Sequence, residues 1–285
     1  MNSKVELSII TPTYNGSKFL AGNLQNVIAQ NAMNIEHIII DGSSSDSSLT
    51  ILRDYSVRFD HIRWISEPDS GQSDAMNKGI KLARGRVIGF LNVDDYYQPG
   101  VLERVIELFA KALPNTIIFG NCIIKDESGR ELDIHKPRNI SFERMLLGQV
   151  IQPYPINPSA YFYHKQLHDI VGNFDVDEHY HMDLDMILRL LQVANVRYVD
   201  EHWGNFRYLP GTKTHENIES GGLKKRIDRI IQKYQQHLPL YKKVWILPIY
   251  AYAKSGIAEI VSYFIQRPGE FFPRLIKRII LLLRP

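Results

Sequence analysis

The sequence contains a single cysteine, Cys122, among 285 residues, which excludes an internal disulfide. Cys122 lies in an apolar, strand-like run, and we expect it to be a small buried side chain rather than a reactive thiol. Long apolar stretches are also missing, because residues 244–265 are interrupted by Pro248, Lys254 and Gly256. A membrane-spanning helix needs about 20 mainly apolar residues, so this pattern does not predict one.

Residues 1–6 lack the basic and apolar leader that a secretory signal requires. Internal repeats and low-complexity segments are absent as well. The hydrophobic and charged contents, 44% and 23%, are those of an ordinary globular chain. We therefore expect a cytoplasmic protein.

Charge is divided unevenly along the chain: residues 1–223 carry a net charge of −7, and residues 224–285 carry +10. Arg274–Arg284 places basic side chains near one face of a predicted helix and aliphatic side chains over the rest, as in helices that lie on anionic lipid. We predict a basic helical tail, 223–285, that binds the cytoplasmic face of the plasma membrane through residues 244–285. Packing on the protein or on another subunit is the alternative. Nucleic-acid binding is not expected, since stacking aromatic side chains do not accompany the basic ones.

Short apolar runs alternate with helical patterns through the first 120 residues. This βαβ alternation predicts an α/β fold with a mostly parallel sheet and helices on both faces. Functional side chains should then lie just past the strand ends. The predicted strands are 7–10, 37–40, 62–65 and 87–91, and the predicted helices are 17–30, 46–57, 72–84, 100–112 and 183–193.

Two adjacent carboxylates, Asp94 and Asp95, follow the apolar run Val87–Leu91 directly. Such a pair is costly at a strand end unless a cation shares it. Mg²⁺ and Mn²⁺ take oxygen ligands, typically one or two carboxylates together with phosphate oxygens of a substrate. The corner therefore predicts a site for a nucleotide diphosphate.

Two other strand ends carry polar turns that are ambiguous by themselves. Thr11–Gly16 is a strand running into a turn, in which Asn15-Gly16 tolerates a positive φ angle. Asp41 ends the second strand and could be a turn residue, with Asp46 capping the next helix. Alternatively, Asp41 could accept the imide N–H of a pyrimidine base.

Taken together, the motifs resemble those of the family 2 glycosyltransferases with the GT-A fold, over residues 5–215. They are Thr11–Gly16, Asp41–Asp46, Glu67–Gly71, Ala75–Gly79 and Leu91–Asp95, in this order. The resemblance implies a Rossmann-like GT-A domain over residues 1–222, with a nucleotide-sugar-binding half, 1–115, and an acceptor-binding half, 116–222. The basic tail follows as a separate part.

The resemblance implies an inverting hexosyl- or N-acetylhexosaminyltransferase. The donor would be a nucleotide-diphosphate sugar, usually a UDP-sugar, and the acceptor a hydroxyl group of a glycan or lipid-linked saccharide in cell-surface polysaccharide synthesis. The donor-binding residues carried over from the family are Thr11, Pro12, Thr13, Tyr14, Asn15, Asp41, Asp69, Gly71, Asp74, Asn77, Asn92 and Asp94.

The resemblance also implies a Mg²⁺ or Mn²⁺ ion held by Asp94, with Asp95 and His215 as further candidate ligands and Lys213 as a candidate diphosphate contact. Asn92 stands where the family's Asp-x-Asp motif commonly has its first aspartate. This departure leaves that contact uncharged.

Asp183 matches the family's general base. It begins a helical pattern, and a carboxylate at a helix N-terminus is stabilised as an anion, so we expect its pKa to be lowered. A simple first-turn acid is the alternative.

Two other enzyme classes remain open. His179, His181 and Asp183 have the spacing of a zinc hydrolase site, although an apolar helical pattern follows them. A sugar nucleotidyltransferase could use a similar sheet, but the segment Thr11–Gly16 lacks a glycine-rich phosphate loop.

Overall fold

The structure is a computed structural model that describes residues 4–148, 154–155, 157–212, 215–216 and 221–254. The chain forms two compact units. The first comprises residues 1–142 and 154–230, and the second comprises residues 143–153 and 231–285. The boundary predicted at residue 222 stays a prediction of where the basic tail begins.

Nine strands and nine α-helices are found in the described residues. The strands are β1 Leu7–Thr13, β2 Ile35–Asp41, β3 Ile62–Ser66, β4 Val87–Phe90, β5 Tyr96–Tyr97, β6 Thr116–Lys125, β7 Glu131–His135, β8 Tyr161–His164 and β9 Asn195–Arg207. The helices are α1 Ser17–Ala29, α2 Ser48–Arg58, α3 Gln72–Leu82, α4 Val101–Ala110, α5 Phe142–Met145, α6 Leu167–Val171, α7 Met182–Leu190, α8 Gly222–Gln236 and α9 Leu240–Lys254. The elements predicted up to residue 112 all occur, with ends shifted by at most three residues.

All nine strands belong to one sheet, in the order β3-β2-β1-β4-β8-β6-β9-β5, with β7 paired to β6. Strands β3, β2, β1 and β4 are parallel, β8 lies antiparallel between β4 and β6, and β9 is parallel to β6. Thr13 pairs with Asp41, which pairs with Ser66. The carboxyl ends of the first three strands therefore meet at one edge, as predicted for an α/β fold.

Successive residues of β1 face opposite sides of the sheet. Ile9 belongs to a buried cluster with Val27 of α1 and Val105 of α4. Ile10 faces α3, where its Cγ2 would lie 2.3 Å from a Cβ atom on Gly79. Helices therefore cover both faces, which confirms the predicted architecture.

The second unit contains most of the described part of the tail. Gln235 donates a hydrogen bond to the Leu146 carbonyl oxygen (2.9 Å), and Lys242 pairs with Glu143 (2.5 Å). Helix α9 continues through Pro248. Among the described helices, none has the length and apolar content that crossing a bilayer would take. The predicted helix Arg274–Arg284 lies outside the described residues.

Two glycine substitutions test the packing of the sheet. A Cβ atom on Gly89 of β4 would lie 2.4 Å from the ring of Phe162, which is fully buried between Tyr97 and Trp203. Because that ring cannot move aside, Gly89→Ala should lower the free energy of unfolding by about 1–3 kcal/mol in denaturant titrations.

Gly22, in the middle of α1, is the matched control, because a Cβ atom there has no neighbour within 4 Å. Gly22→Ala should raise the free energy of unfolding by roughly 0.5–1 kcal/mol, since alanine favours the helix. Equal stability of the two variants would contradict the described contact between β4 and β8.

Candidate active site

A cleft of about 480 Å³ opens where β1 and β4 end, and we call it the strand-end cleft. Eight of the predicted donor-binding residues line it: Pro12, Thr13, Tyr14, Asn15, Asp69, Gly71, Asn92 and Asp94. Its other walls were not predicted: Gly16, Phe19, Gln72, Ala75, Val93, Phe206 and Thr212. Phe206 and Thr212 follow the strand-end motifs by more than 100 residues, and the pairing of β9 with β5 and β6 brings this part of the chain here.

The turn after β1 is fixed by hydrogen bonds to the turn after β2. Asn15 has a φ angle of +49°, as its Asn-Gly sequence predicts. Its backbone N–H donates to Ser44 Oγ (2.7 Å), and its side-chain oxygen accepts the Ser45 N–H (2.9 Å). Tyr14 is left 67% exposed at the cleft. A rigid turn thus presents an aromatic ring at the edge of the cavity.

Two predicted donor-binding side chains point into the protein instead. Thr11 is buried and its hydroxyl bonds His37 Nε2 (2.9 Å). Asp41 is buried too, and its carboxylate accepts hydrogen bonds from the Ser44 N–H (2.9 Å), the Ser44 hydroxyl and the Ser66 hydroxyl (2.7 Å). Asp41 therefore holds the turn after β2, as the turn interpretation predicts, and its contact with a base stays a prediction. Of the two carboxylates Asp41 and Asp69, Asp69 is the one that lines the cleft, and it packs against Gly42.

Asp74 and Asn77 also lie away from the strand-end cleft, and they line another cavity. Asp74 accepts the Ser70 N–H and pairs with Lys78. The Asn77 side chain donates to the Phe174 carbonyl oxygen and accepts the Phe174 N–H, both at 2.9 Å. Neither side chain therefore lines the strand-end cleft with the other candidates for donor binding, and Asn77 holds the loop that precedes α7.

The two adjacent carboxylates of the acidic corner have different environments. Asp95 is 1% exposed and accepts hydrogen bonds from the Asn92 side chain (3.0 Å), the Asn157 side chain (2.7 Å) and the Arg207 backbone N–H (3.1 Å). Burial, together with the negative charge of Asp94, raises the pKa of Asp95. Asp95 therefore braces the corner, whereas Asp94 faces the cleft.

Arg207 is a cationic residue beside the cleft. Its Nε–H donates to the Asp94 carbonyl oxygen, and its guanidinium group lies 4.9 Å from the centre of the Phe19 ring. Burial raises the pKa of the Asp94 carboxyl, and the charge of Arg207 opposes that rise. The cleft thus holds a partly buried carboxylate with a fixed cation next to it.

Asp183 lies in the first turn of α7. Its Oδ1 atom is buried and has no hydrogen-bond partner. Burial raises the pKa of Asp183 to about 6, so the predicted lowering was wrong. An unpartnered carboxylate oxygen with such a pKa is suited to accept a proton near neutral pH.

The start of α3 connects Asp183 with the strand-end cleft. The Ser73 hydroxyl lies 3.1 Å from Met182 Sδ and 3.3 Å from the Glu178 carbonyl oxygen, in the loop that leads to Asp183. Gln72, the preceding residue, lines the cleft and donates to the Asn92 side-chain oxygen (3.0 Å). Met182, the neighbour of Asp183, and Asn92, two residues before Asp94, therefore contact adjacent residues of one helix.

The residues at the corner fit a hard divalent cation. Asp94 offers a carboxylate in the cleft, and a cation would relieve the unfavourable burial of its charge. The ring of His215 packs 5.4 Å from that of Tyr208, and Lys213 lies outside the described residues. Within the described part of the chain, no three His, Cys, Asp or Glu side chains are grouped as metal ligands. His179, His181 and Asp183 therefore do not form the alternative zinc site.

Comparisons with known proteins identify the family and the fold. Residues 8–184 match the model of glycosyl transferase family 2. An uncharacterised glycosyltransferase of Rickettsia conorii is 30% identical over 67% of this chain and 32% of its own length. The chain thus spans about a third of that relative. Another from Rickettsia prowazekii is 26% identical over 98% of this chain and 91% of its own length.

Solved structures show the same fold. S. aureus TarS, residues 1–349, superposes with a TM-score of 0.65, at 18% identity, over 87% of this chain and 71% of that chain. The mannosyltransferase PcManGT from Pyrobaculum calidifontis, in complex with GDP-Man and Mn²⁺, gives a TM-score of 0.58 at 14% identity, over 94% of this chain and 82% of that chain. Both are GT-A structures, which confirms the predicted fold. On its sequence match over more than half of its length, the chain belongs to glycosyl transferase family 2.

Proposed function

We propose that the chain is an inverting glycosyltransferase that moves a hexosyl or N-acetylhexosaminyl group from a UDP-sugar to a hydroxyl of a lipid-linked glycan. One observation carries the proposal. Asp183 presents a buried, unpartnered carboxylate oxygen, and its loop contacts the same turn of α3 that lines the strand-end cleft with Asp94. The family assignment favours this transfer over the nucleotidyltransferase alternative.

The nucleoside would lie against the turn after β1. The exposed ring of Tyr14 offers a stacking surface for a base, and Asp69 offers hydrogen-bond acceptors beside it. The Thr13 hydroxyl is buried in this wall without a partner. One solved relative contains UDP-GlcNAc, which supports a UDP-sugar as the donor.

The diphosphate would lie between Asp94 and Arg207. When bound, a Mg²⁺ or Mn²⁺ ion on Asp94 supplies positive charge that stabilises the leaving diphosphate. Arg207 adds a second positive charge, because its Nε–H bond to the Asp94 carbonyl oxygen fixes the guanidinium group. Its two terminal nitrogens have no hydrogen-bond partner among the described residues and could reach phosphate oxygens.

Asp183 would act as the general base. Its carboxylate removes the proton of the acceptor hydroxyl while that oxygen attacks the anomeric carbon from the face opposite the diphosphate. The bond to the diphosphate oxygen breaks, and UDP leaves with its electron pair. Because the pKa of Asp183 is about 6, the carboxylate is mainly ionised at pH 7 and still has an affinity for the proton.

Asp183→Asn should lower kcat by a factor of about 10² to 10⁴, since that is the usual contribution of general-base catalysis.

The activity of the wild type should also depend on pH. Its kcat/KM should fall about tenfold for each pH unit below about 6, because protonation of Asp183 removes the base. UDP release from a panel of nucleotide sugars measures both. Asp177→Asn, at an exposed carboxylate of the preceding loop, is the control and should keep wild-type rates. Full activity of Asp183→Asn would remove it from this role.

Asp94→Ala should abolish most of the gain in UDP affinity that Mn²⁺ gives the wild type, as measured by calorimetry with and without chelator. Asn92→Ala should weaken UDP binding several-fold, because Asn92 lines the cleft. Asn77→Ala is the matched control: it should leave UDP affinity unchanged while destabilising the fold by about 1–2 kcal/mol, because two partly buried hydrogen bonds are lost. Equal Mn²⁺ dependence in Asp94→Ala and the wild type would refute the metal assignment.

The same proposal includes association with a membrane surface. Helix α9 exposes a row of large apolar side chains, and Lys242 and Lys243 lie on the same helix. Tyrosine, tryptophan and lysine are typical of helices at a lipid headgroup boundary. The +10 charge of residues 224–285 would add attraction to anionic lipid. The exposed side chains are Leu240, Tyr241, Val244, Trp245 and Leu247.

Replacing Leu240, Val244 and Trp245 with serine should reduce sedimentation of the chain with phosphatidylglycerol vesicles several-fold. The control replaces Met33, Val57 and Leu113, which are 80%, 85% and 66% exposed elsewhere, in the same way. Sedimentation of the control should equal that of the wild type. If both triple variants sediment alike, α9 is not the lipid-binding helix.

A further inference from the structure

A second cavity, of about 950 Å³, lies along the side of α3 that faces away from the strand-end cleft. Gln72 and Ala75 line the cleft, whereas Lys78 and Lys81 line this second cavity. We call it the α3 groove. An α-helix with its side chains is about 10–12 Å across, so the two cavities are separated by one helix diameter.

The groove carries an excess of positive charge. Four basic side chains line it, against the two carboxylates of Asp74 and Asp169. Lys78 is paired with Glu67 and Asp74, and Arg86 is paired with Glu6. The lining cations without an ion pair among the described residues, Lys81 and Lys165, lie at the other end of the groove. The basic side chains there are Lys81, Arg86 and Lys165.

His164 supplies an uncharged donor at the same end. The backbone N–H of Thr116 donates to its Nδ1 atom (3.0 Å), so the ring proton of the neutral form is on Nε2. The residue is only 6% exposed, and its ring packs edge-on against Phe109. Burial, and the nearby charge of Arg86, lower its pKa and keep the ring neutral. No acceptor for the Nε2–H is found in the described residues, and the residue lines the groove.

Two of the basic side chains are held in place by hydrogen bonds and still have N–H donors without a partner among the described residues. Arg86 donates through Nε to Glu6 and through Nη1 to the Phe109 carbonyl oxygen (3.4 Å), which leaves Nη2. Lys165 donates to the Ala83 carbonyl oxygen (2.5 Å), which leaves two ammonium hydrogens. Fixed donors of this kind lose little entropy when a ligand binds.

We propose that the basic end of the α3 groove binds a phosphate or pyrophosphate group, at a site distinct from that of the donor diphosphate. An oxyanion with several acceptor oxygens matches Arg86, Lys165, Lys81 and the neutral His164 donor, which approach from different elements. Ile80, Ala112 and Pro114 add an apolar wall beside them. The inference does not rest on the proposed function, because it uses none of the residues of the strand-end cleft.

Calorimetric titration of the full chain with inorganic pyrophosphate, in chelator, tests the site. Arg86→Gln/Lys165→Gln should weaken binding at least tenfold. The matched control, Arg53→Gln/Lys225→Gln, removes the same charge from exposed positions outside the groove and should change the affinity less than twofold. Saturating UDP should not displace pyrophosphate from the wild type.

Arg86 also joins the starts of β1 and β4 through its ion pair with Glu6. Lys81→Glu is therefore the second variant, at an exposed residue that has no ion pair with any described residue. It should keep the wild-type melting temperature and still weaken pyrophosphate binding several-fold. Displacement by UDP, equal losses in the control pair, or unchanged binding in Lys81→Glu would each overturn the proposal.

A parallel titration with geranyl pyrophosphate distinguishes two sources of the group. Tighter binding than that of inorganic pyrophosphate would indicate a lipid-linked ligand that uses the apolar wall. Equal binding would indicate a free phosphate compound. Either result supports the site, provided that Arg86→Gln/Lys165→Gln weakens both ligands.

Discussion

The buried carboxylate of Asp95 is the contact on which the strand-end cleft depends. It accepts hydrogen bonds from three separate segments: its own turn through Asn92, the segment before β8 through Asn157, and β9 through Arg207. A buried polar group that is left without partners costs about 1–3 kcal/mol, so these three donors stabilise the inward position of Asp95. With Asp95 fixed inward, Asp94 faces the cavity, and β9 brings Arg207 beside it.

Magnitudes explain why Asp183 has a raised pKa although it begins a helix. A helix N-terminus stabilises an anion by roughly 0.3–1 kcal/mol at an exposed site. One pKa unit corresponds to about 1.4 kcal/mol, so this effect is worth less than one unit. Desolvation of a buried carboxyl shifts its pKa by up to about 3–5 units. The effect of burial on the pKa of Asp183 therefore outweighs that of the helix N-terminus. The burial of this side chain could not be predicted from the local sequence.

Local features of the site could be predicted from the sequence, whereas contacts between distant residues could not. The strand ends, the Asn15 turn and the acidic corner are local features, and each lies where its motif indicated. The roles of Asp41 and Asn77 depend on partners 25 and 97 residues away, Ser66 and Phe174. Periodicity gives no information about such contacts, because a polar side chain at a strand end can face either a ligand or a neighbouring loop.

Charge balance supports the proposed combination of residues around the donor. The anionic diphosphate would enter a part of the chain with a net charge of −7 and a cleft that contains Asp69 and Asp94. Two like charges 4 Å apart repel by about 4 kcal/mol at an effective dielectric constant of 20. The positive charge of Arg207 offsets only one of the two carboxylates, so the three side chains together have a net charge of −1. A divalent cation on Asp94 would change this net charge to +1, which is opposite in sign to the charge of the diphosphate. One further arginine would only bring the net charge to zero.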